Sequence, residues 1–155
     1  MIYVLLNHVV TLLLSMQFTT VITFPTDIRT ITYGGSQDEI FTAQVNENKT
    51  LVIKPLMAGV DSNLLVVTKD KQYFFYLKND SVGPHKFVTI LDGKKDSSFV
   101  VAKDTEKYTI FDGKTSVRVI NKGKPPLLID GQMVDRETFI SKGAPVYIEN
   151  VRVFN

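Results

Sequence analysis

Short apolar runs separated by turn residues fill almost the whole sequence, and this rhythm constrains the fold more than any other feature. The runs recur about every eight to twelve residues, a spacing typical of β-sandwiches and barrels. Many alternate apolar with polar residues, as a strand with one buried face requires, and residues 14–19 (LSMQFT) are an example. Few segments show the helical period of about 3.6 residues. The sequence therefore predicts an all-β fold of β-sandwich-like modules, with antiparallel strands joined by short hairpins.

Turn residues between the runs predict where the hairpins lie. Asp-Gly between apolar runs is a strong hairpin signal, and it occurs at residues 92–93, 112–113 and 130–131. Residues 46–49 (NENK) predict another hairpin turn, because asparagine tolerates a left-handed backbone. Lys103-Asp104 predicts a further turn. Residues 134–140 favour a short helix or a 3₁₀ turn instead, with Asp135 as its cap and Gly143 beyond its end.

The first 22 residues leave three interpretations open. The first charged side chain is Asp27, and residues 14–19 alternate apolar with polar side chains, which favours one or two buried strands. A signal peptide normally has a cationic start and a small-residue cleavage site. A membrane helix needs about 20 mostly apolar residues, whereas Asn7 and His8 interrupt this run. Strands are the favoured interpretation, and an atypical signal or anchor and a soluble helix are the alternatives.

The clearest break in the chain is the polar segment at residues 79–84 (NDSVGP), which contains Gly-Pro. It predicts two β modules, residues 1–79 and residues 83–155, joined by a linker. His85 follows this break, so we expect it to be a solvated loop residue.

Composition excludes several classes of function. The 18 basic and 16 acidic residues are interspersed and leave a net charge of +2, so no basic stripe predicts nucleic-acid binding. Without cysteine the chain has no disulfide framework or thiolate metal site. The two histidines, His8 and His85, lack further ligands at metal-binding spacing, and no serine stands in a nucleophile-elbow pattern. We expect no catalytic site, no cofactor and no metal, and a role other than that of an enzyme.

The run Tyr73-Phe74-Phe75-Tyr76 is the most conspicuous candidate for an interaction site. In a strand, Tyr73 and Phe75 face one way and Phe74 and Tyr76 the other. A half-buried strand cannot cover all four rings, so at least one pair meets a second layer or a partner chain. Both alternatives, an internal strand covered on each face and a subunit interface, stay open.

A second candidate is the tripeptide Asp61-Ser62-Asn63, which lies between the Gly59 turn and an apolar strand. Asn63 is predicted to be the key residue of a structural corner, because its amide can bind backbone groups left unpaired where the chain turns. Asp61 is expected to contribute less, as an exposed carboxylate that water can replace.

Residues 18–77 also resemble the N-terminal β domain of the TrbG/CagX family, periplasmic ring proteins of type IV secretion and conjugation machines. Five segments carry the resemblance: residues 18–25 (FTTVITFP), 28–34 (IRTITYG), 51–55 (LVIKP), 59–68 (GVDSNLLVVT) and 73–77 (YFFYL). Residues 81–155 do not resemble the family's C-terminal lipoprotein-binding domain.

The resemblance implies a structural role with no catalytic residues. In that family many copies form a homo-oligomeric ring in the periplasm, associated with the outer-membrane core complex. The ring binds a TrbI-like channel protein and a small outer-membrane lipoprotein, and it meets the membrane through this complex.

Two further hypotheses stand beside this one. The strand at residues 63–68 is also similar to strands of periplasmic domains that precede secretin channels, which implies a structural module of a secretin-type secretion or pilus machine. The third hypothesis is a monomeric β-sandwich that binds carbohydrate or peptide, with Tyr73, Tyr76 and Tyr108 stacking on the ligand.

Overall fold

A computed structural model describes residues 1–5, 7–34, 41–59, 61–80, 82–94 and 97–154. It is 62% strand with no helix among these residues, which confirms the predicted all-β class. The strands of the first part of the chain are β1 Ile2–Leu5, β2 Val9–Leu14, β3 Thr20–Thr23, β4 Ile28–Tyr33, β5 Phe41–Asn46, β6 Thr50–Pro55, β7 Ser62–Thr68, β8 Gln72–Asn79 and β9 Phe87–Gly93. Those of the second part are β10 Val100–Asp104, β11 Tyr108–Asp112, β12 Ser116–Asn121, β13 Leu127–Ile129, β14 Gln132–Val134, β15 Glu137–Ser141, β16 Val146–Ile148 and β17 Val151–Phe154.

The chain forms two compact units, and their boundary differs from the predicted one. Unit 1 contains Met1 and Val9–Leu91, whereas unit 2 contains Ile2–His8 and Asp92–Asn155. Gly83 and Pro84 lie inside unit 1, because β9 begins after them and pairs in parallel with β3. Ser81, at the centre of the predicted linker, and Val60, in the family-like segment, lie outside the described residues.

Unit 1 is a sandwich of two sheets. One sheet has the strand order β2-β8-β7-β4, and in the other β9, β3, β6 and β5 are successive neighbours. The pairs β2/β8 and β3/β9 are parallel, so the antiparallel prediction fails at these two pairs. The chain crosses from the first sheet to the second twice, once from β2 to β3 and once from β8 to β9. Because the two crossings run in the same direction, β2 is parallel to β8 and β3 is parallel to β9.

The core of unit 1 consists of large apolar side chains from both sheets. The fully buried ones are Leu12, Leu13, Leu14, Ile22, Leu51, Ile53, Leu64, Phe75, Leu77 and Ile90. Phe24, at the end of β3, contacts the rings of Tyr73 and Phe75 on β8, with centroid distances of 5.3 and 6.1 Å. Side chains from different sheets therefore meet in a single core, as sandwich packing requires.

The N-terminal residues form strands, as the favoured interpretation predicted. The alternation at residues 14–19, however, falls on a tight turn: Ser15 and Phe18 form an isolated bridge around it. In β2, Val10–Leu14 are buried on both faces, which explains why that strand shows no alternation. No helix in the described part of the chain is long and apolar enough to cross a membrane.

Unit 2 contains two further four-stranded sheets, with the orders β10-β11-β12-β15 and β14-β13-β16-β17. The helix predicted at residues 134–140 is wrong. Val134 ends β14, and residues 137–140 belong to β15, which pairs antiparallel with β12. This long-range pairing, together with the binding of the Val134 and Asp135 carbonyls by Asn121, overrides the local helical signal.

Most of the predicted turns lie where the sequence placed them. Glu47 and Asn48 have φ of 51° and 54° between β5 and β6, and Asp130 and Gly131 have φ of 46° and 77° between β13 and β14. Both pairs have the left-handed backbone of a two-residue hairpin. The turn predicted at residues 112–113 begins one residue later, since Asp112 ends β11 and the Gly113 N–H donates to Ser116 O at 2.9 Å.

Two predicted turns are wrong because they lie inside strands. Asp92-Gly93 belongs to β9, where a Cβ on Gly93 would come within 3.1 Å of Leu5 and 3.3 Å of Tyr3. This glycine allows β1 to approach closely, a reason that local sequence cannot reveal. Lys103-Asp104 ends β10, and the Thr105 side chain closes the turn that follows by accepting from the Tyr108 backbone N–H.

Candidate functional site

The four aromatic residues of β8 lie on opposite faces of their sheet. Tyr73 and Phe75 are buried in the core of unit 1, with only 2% and 1% of their surface exposed. Phe74 and Tyr76 lie on the outer face, where Phe74 is 49% exposed and Tyr76 is half-buried. Of the four interaction candidates, only Phe74 and Tyr76 are therefore accessible to a partner.

Phe74 belongs to a row of side chains that crosses the outer face of this sheet. The strand register places Phe74 beside Val9 on β2 and beside Leu65 on β7, and Leu65 beside Thr32 on β4. We call these four residues the outer row. Val9 and Phe74 are exposed and Leu65 is half-buried, so these three side chains form an apolar strip on β2, β8 and β7 that ends at the polar Thr32 on β4. An exposed apolar strip is the kind of surface that marks interaction sites.

Beside the outer row, Asp61 ties the start of β7 to the end of β8. Its carboxylate accepts hydrogen bonds from the Asn79 backbone N–H at 3.1 Å, the Tyr76 hydroxyl at 3.2 Å and the Lys78 ammonium at 3.4 Å. Burial raises the pKa of the Tyr76 phenol, and the Asp61 carboxylate raises it further. Tyr76 thus remains a hydrogen-bond donor, and Asp61 serves as the corner residue.

Asn63 takes part in the corner mainly through its backbone. Its carbonyl accepts from the Gly34 N–H at 3.1 Å, while its side chain is exposed. A Cβ on Gly34 would lie 2.6 Å from the Asn63 side-chain oxygen, so a larger residue there would displace this exposed side chain. The Ser62 hydroxyl donates to the Gly34 carbonyl at 2.9 Å. Ser62 belongs to the predicted corner tripeptide, whereas Gly34 is a corner residue that sequence reasoning missed, although a glycine directly after the predicted strand at residues 28–33 was a signal for it.

An open cavity of about 350 Å³ lies at one end of unit 1, between the β2–β3 turn, the β6–β7 loop and the end of β8. It is lined by Leu14, Ser15, Met16, Gln17, Ala58, Gly59, Asn79 and Asp80. Its size is at the lower limit of small-molecule sites, and none of the predicted site residues lines it.

The described residues place constraints on binding chemistry. Among them, no group of three His, Asp or Glu side chains is close enough to hold a metal ion. Two members of the proposed ligand-stacking set Tyr73, Tyr76 and Tyr108 are not brought together. Tyr73 is buried in the core and Tyr76 lies on the opposite face of its sheet. The ligand-binding hypothesis therefore loses its aromatic platform.

His85 is a second residue whose role sequence reasoning missed. It was predicted to be a solvated loop residue, but it is half-buried and forms hydrogen bonds with residues that precede it by more than sixty positions. Its backbone N–H donates to Leu13 O at 2.8 Å, and its Nδ1 accepts from the Leu13 N–H at 3.3 Å. Sequence offers no signal for such a contact, because it depends on the parallel pairing of β2 with β8.

Comparison with known proteins adds no family assignment: neither a protein-family model nor a curated protein matches this chain.

Proposed function

We propose that this protein is a structural, ring-forming subunit of a bacterial type IV secretion or conjugative transfer core complex. In this proposal, copies of the chain assemble laterally in the periplasm, with a TrbI-like channel protein and a small outer-membrane lipoprotein as partners. The chain supplies structure and no catalysis.

One observation carries the proposal: the separate segments that resemble the TrbG/CagX domain contact one another within a single compact unit. Phe24, from the first segment, packs on Tyr73 and Phe75 of the last. Gly34, which ends the second segment, forms its hydrogen bonds with Ser62 and Asn63 of the fourth. A domain of that family would require such contacts between these segments, and in this way they support the proposal.

The outer row offers a surface for contacts between copies. Its apolar part crosses three strands of one sheet in unit 1, β2, β8 and β7, and Phe74 is its one aromatic side chain, 49% exposed. Exposed aromatic side chains frequently provide most of the binding energy at protein interfaces. We therefore place Phe74 at the contact between neighbouring copies.

The test is to express the full chain together with the TrbI-like protein and the lipoprotein encoded near it, and to image detergent extracts of the cell envelope. We expect rings that contain this chain and the co-purification of both partners. Extracts in which the chain is a monomer bound to neither partner would contradict the proposal. Rings assembled around a secretin would assign the chain to that other machine.

A pair of variants tests the role of Phe74. Phe74→Glu places a charge in the outer row and should abolish rings while leaving the isolated chain folded, since the side chain is half exposed. Gln72→Glu is the matched control, because Gln72 is exposed and two residues earlier on the same face of β8. It should assemble normally. Intact rings of Phe74→Glu would move the contact between copies to another surface.

A further inference from the structure

The crossover segment, residues 82–86, leads from β8 to β9 and lies along β2, an edge strand of its sheet. His85, within this segment, donates its backbone N–H to Leu13 O at 2.8 Å, whereas the Asp80 N–H donates to Leu14 O at 2.9 Å and extends the ladder between β8 and β2. An edge strand presents unpaired backbone donors and acceptors that other chains can bind. The crossover segment covers this edge of β2.

His85 connects this edge to the second sheet of unit 1. Its carbonyl accepts from the Thr20 hydroxyl at 2.6 Å, and the carbonyl of Lys86 accepts from the Val21 N–H at 2.8 Å. In a regular antiparallel pair, a backbone carbonyl accepts the hydrogen bond from the facing N–H. Here the His85 carbonyl binds β3 instead, and the ring nitrogen Nδ1 accepts from the Leu13 N–H.

The contact between the Leu13 N–H and Nδ1 requires the imidazole to be neutral. A neutral imidazole has one acceptor nitrogen, whereas in the imidazolium both nitrogens carry protons and only donate. Histidine is the side chain that ordinarily changes charge between about pH 5 and 8. Protonation of His85 therefore removes the acceptor of the Leu13 N–H and brings two N–H groups face to face.

The described strands next to His85 contain few ionisable side chains. β2 and β3 contain no ionisable side chain in the segments Val9–Leu14 and Thr20–Thr23. On β8, Lys78 is registered beside Leu13 and pairs with Asp61. Asp80 accepts from the Val82 N–H through its carboxylate, and the Lys86 ammonium lies 4.1 Å from the centre of the Phe18 ring.

We propose that His85 is a pH-sensitive latch that holds the crossover segment over the edge of β2. When the imidazole is neutral, the latch is closed and the Leu13 N–H is bonded. When it is protonated, the bond is lost and this stretch of the β2 edge opens. The proposal does not depend on the ring-forming function, since it concerns local opening of unit 1 in the isolated chain.

Amide hydrogen exchange of the full-length protein, measured by NMR at about pH 7.5 and about pH 5, tests the latch. After correction for the intrinsic exchange rate, protection of the Leu13 amide should fall about tenfold at the lower pH, the change expected for a hydrogen bond of about 1.4 kcal/mol. The midpoint should coincide with the titration of the His85 ring resonances in the same samples.

Two variants separate the latch from general acid effects. His85→Gln keeps a side-chain acceptor that does not titrate, so Leu13 protection should no longer depend on pH. His8→Gln removes the other histidine and should leave the wild-type response intact. The proposal is overturned if Leu13 protection stays constant while His85 titrates, if the His85 ring stays neutral throughout this range, or if His85→Gln shows the same loss as the wild type.

Discussion

The two units of this protein use different interactions to fix their sheets. Unit 1 contains strands of up to eight residues, such as β8, and large apolar side chains from both sheets fill its core. Unit 2 contains strands of only three residues, β13, β14 and β16. Such short strands form few ladder hydrogen bonds, so polar side chains at the turns must supply part of the order. In unit 2, polar side-chain contacts therefore accompany the shortest strands.

Asn121 is the clearest example of this in unit 2. Its side-chain amide donates to the carbonyls of Pro125, Val134 and Asp135 at 2.9, 3.2 and 3.1 Å. Its side-chain oxygen accepts from the Gly123 N–H at 2.9 Å. With 9% of its surface exposed, this one residue satisfies backbone groups from the loop after β12 and from the bend after β14.

Asp130 has a similar role at the β13–β14 hairpin. Its backbone N–H donates to Tyr147 O at 2.9 Å, and its carboxylate accepts from the Tyr147 N–H at 2.8 Å. The two strands β13 and β16 share only the registered pair Ile129↔Ile148, so Asp130 extends their contact beyond the ladder. Burial raises the pKa of its carboxyl to about 6.

The largest effect should come from truncating the aromatic core of unit 1. Phe75→Ala removes a buried ring that contacts Phe24 and Tyr73, and the free energy of unfolding of unit 1 should fall by about 3 to 5 kcal/mol. Phe74→Ala is the matched control, because Phe74 is the next residue of β8 and is half exposed. In this control variant the free energy of unfolding should fall by about 1 kcal/mol or less, measured by urea denaturation. Equal losses for both variants would contradict the assignment of faces on β8.

The corresponding prediction for unit 2 concerns a polar residue. Asn121→Leu preserves the approximate size of the side chain but leaves several backbone carbonyls without their donor, and unit 2 should lose about 2 to 3 kcal/mol. Gln132→Leu makes the same kind of change at an exposed site and should have little effect on stability. A tolerated Asn121→Leu would mean that apolar packing orders unit 2, as it orders unit 1.

Asp130 should make the stability of unit 2 depend on pH. Its pKa is raised from 3.8 to about 6 in the folded state, so the folded state binds this proton more tightly than the unfolded state does. The contribution to stability is complete below about pH 4 and is lost as the pH rises through about 6. Between about pH 5 and 7.5, Asp130 should cost unit 2 about 1 to 2 kcal/mol, after allowance for partial exposure.

Asp130→Asn keeps a residue that tolerates the left-handed backbone and removes the titration. We expect the pH dependence of unit 2 in this range to flatten, measured by thermal unfolding at several pH values. Asp135→Asn, at a nearby exposed aspartate, should leave the wild-type slope unchanged. If the stability of unit 2 depends on pH to the same extent in Asp130→Asn, other groups are responsible for that dependence.

The sequence predicts local features well and distant contacts poorly. The all-β class and the turns at Asn48 and Gly131 follow from short-range chemistry, since alternation and left-handed turn residues act over a few positions. Gly93 was predicted to lie in a turn, because the strand that requires the glycine, β1, is distant in sequence. His85 was misread for the same reason, as its hydrogen-bond partner Leu13 is distant in sequence.

The candidate site shows the same limit. The alternation of Tyr73 to Tyr76 predicts that these rings lie on two opposite faces, but not which face is buried. That depends on the position of Phe24, which a different strand supplies. The tripeptide at residues 61–63 was identified as a corner with Asn63 as its key residue, but sequence could not reveal the hydrogen bonds of Asp61, because the backbone donor Asn79 lies in β8.

The smallest predicted effects test which side chain, Asn63 or Asp61, contributes more to the stability of the corner. From sequence, Asn63→Leu should be more destabilising than Asp61→Ala. The structure supports the reverse order, since the Asp61 carboxylate binds the Asn79 N–H, Tyr76 and Lys78, whereas the Asn63 side chain is exposed. Asp61→Ala should cost unit 1 about 0.5 to 1 kcal/mol, a small value because the ion pair is partly solvated. Asn63→Leu should change stability by no more than about 0.5 kcal/mol.

Asp61→Asn sharpens this test by keeping a side-chain acceptor for the Asn79 N–H while it removes the charge that attracts Lys78. A stability between those of the wild type and Asp61→Ala would show that both the backbone bond and the ion pair contribute. High salt should narrow the difference between wild type and Asp61→Asn, because screening weakens the exposed pair. The opposite result would be that Asn63→Leu is the most destabilising of the three variants in urea denaturation. That result would mean that the Asn63 side chain stabilises the corner and that the Asp61 carboxylate contributes little.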